Sequence, residues 1–585
     1  MTTTITLRGT KGAPLTYDEV DQNFANLKET ADAAADAVAS VGGKANASAI
    51  GIASDATHLG TFTGSTISDD VDAKTAIQEL ETAHEATAPF SHASAFSDGT
   101  VGKTLQDRGV CVTDEPYEAV GDGAADDGAA IQAAIDAVTA TGGVVYFPVG
   151  TYLIEAAGGS IGLSLKDNVI LLGQGPGSII KLKNGADSHL INVASGVNDC
   201  GVLNLTLDGN RANQTLQVHA LRAVGVDGLT VQNCTIKSAF HYGIGIQDGT
   251  NKRVKLDNLY VHDTGGDGID IKNKNDDNED VQLSNITVES WGNNGSLTIQ
   301  TGIDCRGPVR ANNIWISSPV AADAVGYRFR PGELLDANGL GAHRSSLTNF
   351  DIRMGAGAAQ VGVSVVARDV SVGHGYINGG FRGVVVQDSG FSAAGVTVDG
   401  ASDDGWVLDA GGGGLDADKA VLVGCQSLNN GVDGFTLEAA GDHLVGCIAS
   451  GNGAYGARIE ASATNARIVG GDYSSNTTAA ITDGGTGTLI RNAVGHIVEN
   501  YVESASLTLD STGSKTATIA HGLAGTPDPK KCSIVHVRET AVADHAIGFY
   551  QIDSVDSTNI VVRARVTTAS ATGGATFKLG VTVRV

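Results

Sequence analysis

The hydrophobic pattern between about residues 200 and 490 repeats as pairs of short strands. Each repeat has a strand of alternating apolar and polar residues, a turn rich in Asn, Asp and Ser, and a glycine that opens a second short strand. Strand-only repeats of about 20 to 30 residues must stack on their neighbours to bury an apolar face, which predicts an all-β fold, a parallel β-helix. Each coil should rise by about 4.8 Å. The second strands read GIGIQ (243–247), GIDIK (268–272), GIDCR (302–306), GYRFR (326–330), GVSVV (362–366), GVVVQ (383–387), GWVLD (405–409), GFTLE (434–438) and GARIE (456–460).

The N-terminal pattern is helical instead. Thr16 and Glu19 form a capping box, and apolar residues then recur at alternating spacings of three and four as far as Val38. A helix with such a short apolar stripe is marginally stable alone, which favours association with copies of itself in a coiled coil. The alternative is that the helix packs against its own domain. We therefore predict an attachment and coiled-coil helix over 1–45, and a linker with a connector helix over 46–100.

Three further regions complete the predicted organisation. Residues 101–200 should cap the solenoid and contain a helix near Gly128 to Thr139, with Asp126 and Asp127 capping its N-terminus. Residues 201–497 form the parallel β-helix itself. Residues 498–585 carry alternating strands with Gly and Pro turns, which predicts a C-terminal β-sandwich, for trimerisation or glycan binding.

Composition excludes several classes of protein. With 38 basic and 65 acidic residues the net charge is -27, and such a field repels nucleic acids. No apolar run of about 18 residues occurs, so no membrane insertion is expected. The seven cysteines lack metal-ligand spacing and suggest free thiols, and the acidic run 276–280 lacks the order of a calcium loop. The sequence has no P-loop or GxGxxG motif for nucleotides, no HExxH motif of zinc proteases and no GxSxG motif of α/β-hydrolases. We therefore predict neither a metal nor a cofactor.

One opening motif carries a family resemblance. The segment YEAVGDGAADDGAAIQAAIDAV, followed by GGVVYFPVGTYLI, spans residues 117–154 and leads into the coils. Together with the coils to about residue 495 it resembles bacteriophage tailspike or tail-fibre depolymerases of the pectate-lyase-like superfamily. The starting segments GAPLTYDEVDQNFANLK and TISDDVDAKTAIQELETA look like virion-proximal parts of tail fibres, and ATIAHGLAGTPD is similar to their C-terminal domains.

The resemblance implies a biological setting. It implies a right-handed β-helix in a homotrimer that is made in the host cytoplasm, belongs to the virion tail and binds the phage tail or baseplate through its N-terminus. It also implies a bacterial surface polysaccharide as partner and substrate: capsule, O-antigen or exopolysaccharide. The family shares its fold more than its active site, so catalytic residues must be sought in the sequence itself.

Aligning the second strands on their glycines brings two carboxylates together. Ile269, Ile271 and their equivalents face the interior, and the alternate positions point outward. Asp270 and Asp304 then lie about 5 Å apart at Cβ on adjacent coils. This spacing suits the acid and nucleophile of a retaining glycosidase, so we predict endo-acting glycoside hydrolysis. Glu289 is a third candidate catalytic residue.

The neighbouring positions suggest how a sugar would be held. An arginine or lysine cluster on an acidic protein suits a carboxylated sugar, and a tryptophan suits stacking on a sugar ring. The predicted substrate-binding residues are Lys272, Arg306, Arg328, Arg330, Trp291 and His262.

Three other interpretations stay open at this point. The basic residues could simply neutralise Asp270 and Asp304 in a structural ladder of ion pairs. A lyase would use an arginine or lysine to neutralise a uronate and a base such as His262 or Lys272 to remove the C5 proton. A receptor-binding fibre would grip the glycan without any chemistry.

Overall fold

The chain is described here by a computed structural model. It covers residues 22–32 except 24 and 30, then 109–155, 161–272, 278–295, 300–331, 344–355, 357, 359–410 and 418–496. Beyond these it describes 499–503, 507–508, 514–521, 527, 529, 532–538, 547–566 and 576–584. Two compact units divide the chain, Met1–Ser91 and His92–Val585.

In the first unit the described residues between 22 and 32 are all helical. Lys28 Nζ lies 2.8 Å from the Asp32 carboxylate one turn later, an exposed ion pair of the usual helical spacing. The capping box at Thr16, most of the apolar seam and the connector helix over 72–85 lie outside the described residues. The coiled-coil prediction and the homotrimer therefore stay predictions.

The second unit is built around parallel strands, as the repeats predict. Sheet I, the larger, has 22 strands within the described residues. Its strands are β1 (Gly109–Cys111), β2 (Asp122–Asp126), β3 (Gly143–Phe147), β4 (Gly150–Ile154), β6 (Val169–Gly173), β7 (Ser178–Leu182), β9 (Asn198–Leu203), β10 (Thr206–Asp208), β12 (Asp227–Lys237), β14 (Lys255–His262), β16 (Gln282–Glu289), β18 (Arg310–Ser317), β20 (Ser346–Arg353), β22 (Ser371–Asn378), β24 (Ser392–Ala394), β25 (Thr397–Asp399), β27 (Val421–Val423), β28 (Gln426–Leu428), β30 (His443–Val445), β31 (Ile448–Ser450), β33 (Arg467–Val469) and β35 (Leu489–Arg491).

Sheet II runs beside it through 13 described strands. These are β5 (Ile161–Leu165), β8 (His189–Val193), β11 (Leu221–Val224), β13 (Ile244–Gln247), β15 (Ile269–Ile271), β17 (Thr301–Arg306), β19 (Val325–Arg330), β21 (Val361–Val365), β23 (Arg382–Val386), β26 (Trp406–Leu408), β29 (Phe435–Leu437), β32 (Tyr455–Ile459) and β34 (Ala479–Asp483). Each of the nine glycine-led segments predicted from the sequence contributes one of these strands, so the parallel β-helix is confirmed.

Asparagines bend the long strands of sheet I. Asn258, Asn285, Asn313 and Asn349 have φ between 50° and 58°, a left-handed conformation that asparagine tolerates better than most residues. The Asn313 amide donates to Asn285 Oδ1 at 2.7 Å, so the side chains also link successive coils. Each bend divides a long strand into two short segments whose outward side chains point in different directions.

The apolar interior follows the predicted alternation. Ile269, Ile303 and Tyr327 occupy equivalent positions on three successive coils of sheet II and are fully buried. Cys305 and the other buried thiols, Cys200, Cys234, Cys425 and Cys447, are free. The long stack of inward-facing apolar side chains is the main core of this unit.

The N-terminal cap holds the predicted helix, α1 (Gly128–Val138), which buries Ile131 and Ile135. Asp126 Oδ1 accepts from the Gly128 N–H at 3.1 Å, as a capping carboxylate does. Asp127 occupies the N-cap position, as predicted, but its side chain makes no capping hydrogen bond. Its carboxylate accepts instead from the backbone of the preceding loop, at Val120 and Gly121, so it pins that loop to the helix start.

The C-terminal strands are antiparallel, as their pattern predicts. They form a four-stranded sheet of β36 (Glu499–Glu503), β42 (Thr576–Arg584), β37 (Leu507–Thr508) and β39 (Ser533–Arg538), and a three-stranded sheet of β38 (Ser514–Ala520), β41 (Asn559–Val566) and β40 (Ile547–Val555). Their packing as a sandwich stays a prediction, as does the right-handed sense of the β-helix. Within the described part of the chain, no helix has the length and apolar character to cross a bilayer.

Candidate active site

Sheet II places the two predicted carboxylates side by side. Asp270 on β15 pairs in register with Asp304 on β17, and Asp304 pairs in turn with Arg328 on β19. On the other side Asp270 faces Gly245 of β13. The alignment made on one glycine per coil is therefore correct through all four strands.

The two carboxylates are nevertheless buried. Asp270 is 0% exposed and Asp304 is 1% exposed, although both point away from the apolar interior. The expectation of an open, outward-facing catalytic pair is therefore wrong for this conformation. Outward orientation on one sheet does not guarantee exposure when long side chains of adjacent coils surround the position.

A third carboxylate joins them, which the sequence analysis missed as a site residue. Asp267 lies in the turn before β15, and its Oδ1 accepts from the Thr301 N–H at 2.6 Å. One oxygen from each of Asp267, Asp270 and Asp304 lies within 4.8 Å of the others. The segment GGDGID carries a signal for this residue, because it has one aspartate in the turn before β15 and a second within the strand.

These three acids have different partners. Asp304 holds an ion pair with Arg330, whose Nε donates to Oδ1 at 2.9 Å and whose Nη2 donates to Oδ2. This is the two-pronged geometry in which arginine binds carboxylates most strongly. By contrast, neither oxygen of Asp270 accepts a hydrogen bond of good geometry from a described residue, although the Gln247 side chain lies close enough to lower its pKa.

Burial changes the protonation of two of these acids. Burial and, to a smaller extent, the nearby Asp270 carboxylate raise the pKa of Asp267 to about 8. Burial also raises the pKa of Asp270, against the opposing charges of Lys272 and Arg306. Two neighbouring acids that resist ionisation are a feature typical of functional sites.

Four cationic side chains surround the acids. Lys272, Arg306, Arg328 and Arg330 are all partly buried, and Arg306 pairs in register with Arg330. The sequence analysis named all four as substrate-binding residues, and the fold brings them together beside Asp304. Their functional roles stay predictions, and the Arg330 pair shows that part of the cluster serves as a structural ladder too.

A histidine and tyrosine column approaches the cluster from the preceding coils. His189, His219 and His241 stack with ring centroids 4.7 and 5.2 Å apart, and Tyr242 stacks on His241 at 3.8 Å. The backbone places Tyr242 beside the acids, because the Gly243 N–H donates to the Asp267 carbonyl at 3.1 Å.

This column also has shifted titration behaviour. Burial lowers the pKa of His241 to about 4, helped by the charge of Lys272. Burial raises the pKa of Tyr242, and the Asp270 and Asp267 charges add to the effect. His241 is therefore neutral and Tyr242 protonated at pH 7. His241 is a possible general base from the sequence alone, whereas Tyr242 is not predicted, because the column forms only when coils of unequal length are stacked.

The remaining predicted site residues lie elsewhere. Glu289 and His262 pair in register on sheet I, at the ends of β16 and β14, so neither belongs to the carboxylate cluster. Glu289 accepts instead from the Tyr260 hydroxyl at 2.8 Å. The prediction that Trp291 stacks on sugar is wrong, since this side chain is 0% exposed and packs in the core.

The three acids also raise the question of a metal. Carboxylate oxygens suit calcium or magnesium, and the unpartnered Asp270 has capacity to bind one. The surrounding charge argues against it, because Arg330 already occupies both oxygens of Asp304 and three more cations stand nearby. The three carboxylates are therefore better suited to hold protons than to ligate a divalent ion.

Comparison with known families identifies the class of this fold. Residues 111–314 match the family model described as rhamnogalacturonase A/epimerase, pectate lyase-like. The match covers the cap, α1 and the coils that carry the carboxylate cluster. The resemblance to the pectate-lyase-like superfamily predicted from the sequence is therefore confirmed.

Individual relatives add detail. Mannuronan C5-epimerase AlgE4 of Azotobacter vinelandii is 37% identical over 169 residues, which is 26% of this chain and 30% of that protein. Alginate lyase 7 of the same organism is 35% identical over 171 residues, 26% of this chain and 20% of that protein. The chain thus spans less than a third of the length of these curated relatives.

Solved structures with similarity to this chain include both enzymes and phage tailspikes. The A-module of AlgE4 aligns with a TM-score of 0.41 and 21% identity, covering 65% of this chain and 96% of the module. The tailspike protein gp49 of Pseudomonas phage LKA1 aligns with a TM-score of 0.45 and 13% identity, covering 81% of this chain and 99% of gp49. A tailspike of E. coli bacteriophage HK620, solved with a pentasaccharide, aligns with a TM-score of 0.43 and 11% identity, covering 86% of this chain and 100% of that chain.

Proposed function

We propose that this protein is a phage tailspike whose sheet II binds and cleaves a uronate-containing polysaccharide of the bacterial surface. The observation that carries the proposal is the cluster of Lys272, Arg306, Arg328 and Arg330 on a chain of net charge -27. Partly exposed cations around buried acids suit the carboxylate of a uronate, which arginine binds in a two-pronged manner. The relatives named for mannuronan epimerase and alginate lyase activity support a uronate polymer.

The burial of the acids favours β-elimination over hydrolysis. A hydrolase needs its acid in contact with the glycosidic oxygen and its nucleophile at the sugar carbon. Asp270 and Asp304 are too deeply buried for these contacts. The groups that remain partly exposed are the cations, His241 and Tyr242, and these suit removal of a proton from a uronate.

In this scheme the chain's residues act in turn. Arg306, Arg328 or Arg330 neutralises the uronate carboxylate, which makes the C5 proton more acidic. His241, neutral because its pKa is lowered to about 4, accepts that proton. The electron pair forms the C4–C5 double bond and expels the O4 leaving group, which takes a proton from the Tyr242 hydroxyl. Asp304 acts as a positioning residue that fixes Arg330.

Hydrolysis remains the second candidate, with one observation in its favour. Burial raises the pKa of Asp267 to about 8, which leaves this acid protonated near neutral pH, as a general acid must be, and the pKa of the neighbouring Asp270 is raised as well. This route requires the surrounding arginines to move aside when the glycan binds.

The experiment compares products from capsule, O-antigen, exopolysaccharide and polymannuronate. Shortened chains with the ultraviolet absorbance of an unsaturated uronate support elimination, and shortened chains without it support hydrolysis. The substitution Arg330→Gln should abolish cleavage by either reaction. The matched control is Arg458→Gln on β32, because Arg458 pairs with the buried Asp433 as Arg330 does with Asp304. Binding without any shortening would leave a receptor-binding tailspike and contradict the enzymatic proposal.

A further inference from the structure

Three aromatic side chains lie on the outer face of sheet I, whereas the carboxylate strands β15 and β17 belong to sheet II. Tyr260, Trp315 and Tyr376 occupy one register position on alternate coils, separated by Thr287 and Asp351. Two coils of about 4.8 Å each separate neighbouring aromatics, so roughly 9.6 Å lies between them. The small Thr287 side chain lies between Tyr260 and Trp315 and leaves a gap beside the indole.

The structure has a cleft at this gap. Trp315 is 38% exposed and Tyr260 is 40% exposed, which is high for large aromatic side chains. The cleft is lined by Asn258, Asn285, Ile286, Thr287, Glu289, Asn313 and Trp315. Its polar groups are three amides, the Thr287 hydroxyl and one carboxylate, and Trp315 is its aromatic side.

Trp315 is held in place from one side. The Arg353 guanidinium lies over the indole, 4.6 Å from the ring centroid, and Asp351 fixes that guanidinium with two contacts at 3.1 and 3.0 Å. Arg353 belongs to the following coil, whereas the cleft residues belong to Trp315's own and preceding coils. The indole thus presents its open side to the cleft.

The polar groups of the cleft are also fixed. Tyr260 donates its hydroxyl proton to Glu289 Oε2 at 2.8 Å, and Asn313 donates to Asn285 Oδ1 at 2.7 Å. Acceptors on a carboxylate and on amides, beside an aromatic plane, match the hydroxyl groups and the C–H face of a pyranose ring.

We propose that this cleft is a second glycan-binding site, for a neutral pyranose unit. The Glu289 carboxylate at its edge would repel a uronate, in contrast to the cations of sheet II. The site is independent of the enzymatic proposal, because it lies on the other sheet and needs no chemistry. A second copy of this chain is the other possible occupant of the face, and the test separates the two.

The tryptophan content makes the site directly observable. The chain has three tryptophans, and both Trp291 and Trp406 are fully buried. Acrylamide quenching of tryptophan emission therefore reports on Trp315. The probes are maltohexaose, cellohexaose and mannohexaose, with hexamannuronate as the anionic comparison.

At least one neutral hexaose should reduce the quenching constant by about half or more, because it covers the open indole face, and hexamannuronate should not. Thr287→Arg, which fills the cleft, should weaken binding of that hexaose by about tenfold or more in calorimetry. Thr397→Arg is the matched control, since Thr397 has the same register position beyond Tyr376. Thr397→Arg should leave both the affinity for that hexaose and the cleavage of a short substrate unchanged.

Two results would overturn the proposal. The first is no protection of Trp315 by any neutral hexaose, or protection that persists in Thr287→Arg. The second is a Trp315 already shielded from acrylamide in the free protein, which would assign this face to contact between copies of the chain.

Discussion

The ion pair of Asp304 and Arg330 provides the sharpest test of the candidate active site. Asp304→Asn keeps the shape of the side chain but removes its charge, so the guanidinium retains at most one good hydrogen bond. Breaking a buried pair from one side destabilises a protein by about 3 to 5 kcal/mol. Because Arg330 keeps about a quarter of its side chain exposed to water, we expect a smaller loss of stability, roughly 2 to 3 kcal/mol.

The chain contains a matched pair elsewhere on sheet II. Asp433 and Arg458 have side-chain exposures of 2% and 31%, against 1% and 26% for Asp304 and Arg330. Asp433→Asn should therefore lower the urea midpoint of unfolding, followed by circular dichroism, about as much as Asp304→Asn does. Only Asp304→Asn should abolish cleavage of the polysaccharide, because only there does the freed arginine belong to the cationic cluster.

Two outcomes would refute this reasoning. Equal loss of cleavage in both variants would mean that general destabilisation, and not the position of Arg330, explains the effect. Full cleavage by a folded Asp304→Asn variant would remove the cluster from the active site. Measurements at a temperature well below the unfolding transition of both variants keep these outcomes distinct.

Three further changes have defined outcomes. Between about pH 4 and pH 8 the folded state binds more protons at Asp267 than the unfolded chain, so this group's stabilisation is lost as the pH rises; Asp267→Asn should flatten that part of the stability curve, measured by urea unfolding across the range. Trp291→Ala should destabilise by about 3 to 5 kcal/mol through its cavity, yet leave glycan affinity of the folded protein unchanged in calorimetry. Gly375→Ala should lower the melting temperature strongly because its new methyl group would lie 2.1 Å from the Phe350 ring, whereas Gly373→Ala, with its nearest atom at 3.7 Å, should not.

The periodic parts of the structure could be predicted from the sequence with good accuracy. Alternation of apolar residues and one glycine per coil were enough to place Asp270 opposite Asp304 and Arg306 opposite Arg330. The register of these strands can be predicted from each repeat by itself, because every coil must bury the same face. Long loops did not disturb it, since insertions of unequal length leave the strands aligned.

Features that depend on several coils at once were harder to predict. The sequence assigned Trp291 to stacking on a sugar ring, and the structure buries this side chain instead. Trp291 stands beside Gly292 in an Asn-Gly segment, a composition typical of exposed turns, yet its side chain packs in the core. Trp315 instead follows the αL residue Asn313 by two positions, which turns its side chain outward.

The burial of the carboxylates has the same origin, and it changes the chemistry inferred from them. Spacing along one sheet fixes which residues are neighbours, but exposure depends on the length and rotamers of side chains from adjacent coils. A pair of exposed aspartates would favour direct catalysis, whereas Asp304 buried against Arg330 favours positioning of a cation. The same residues therefore support a different mechanism once their surroundings are known, and the partly exposed His241 and Tyr242 become the groups that can reach a substrate.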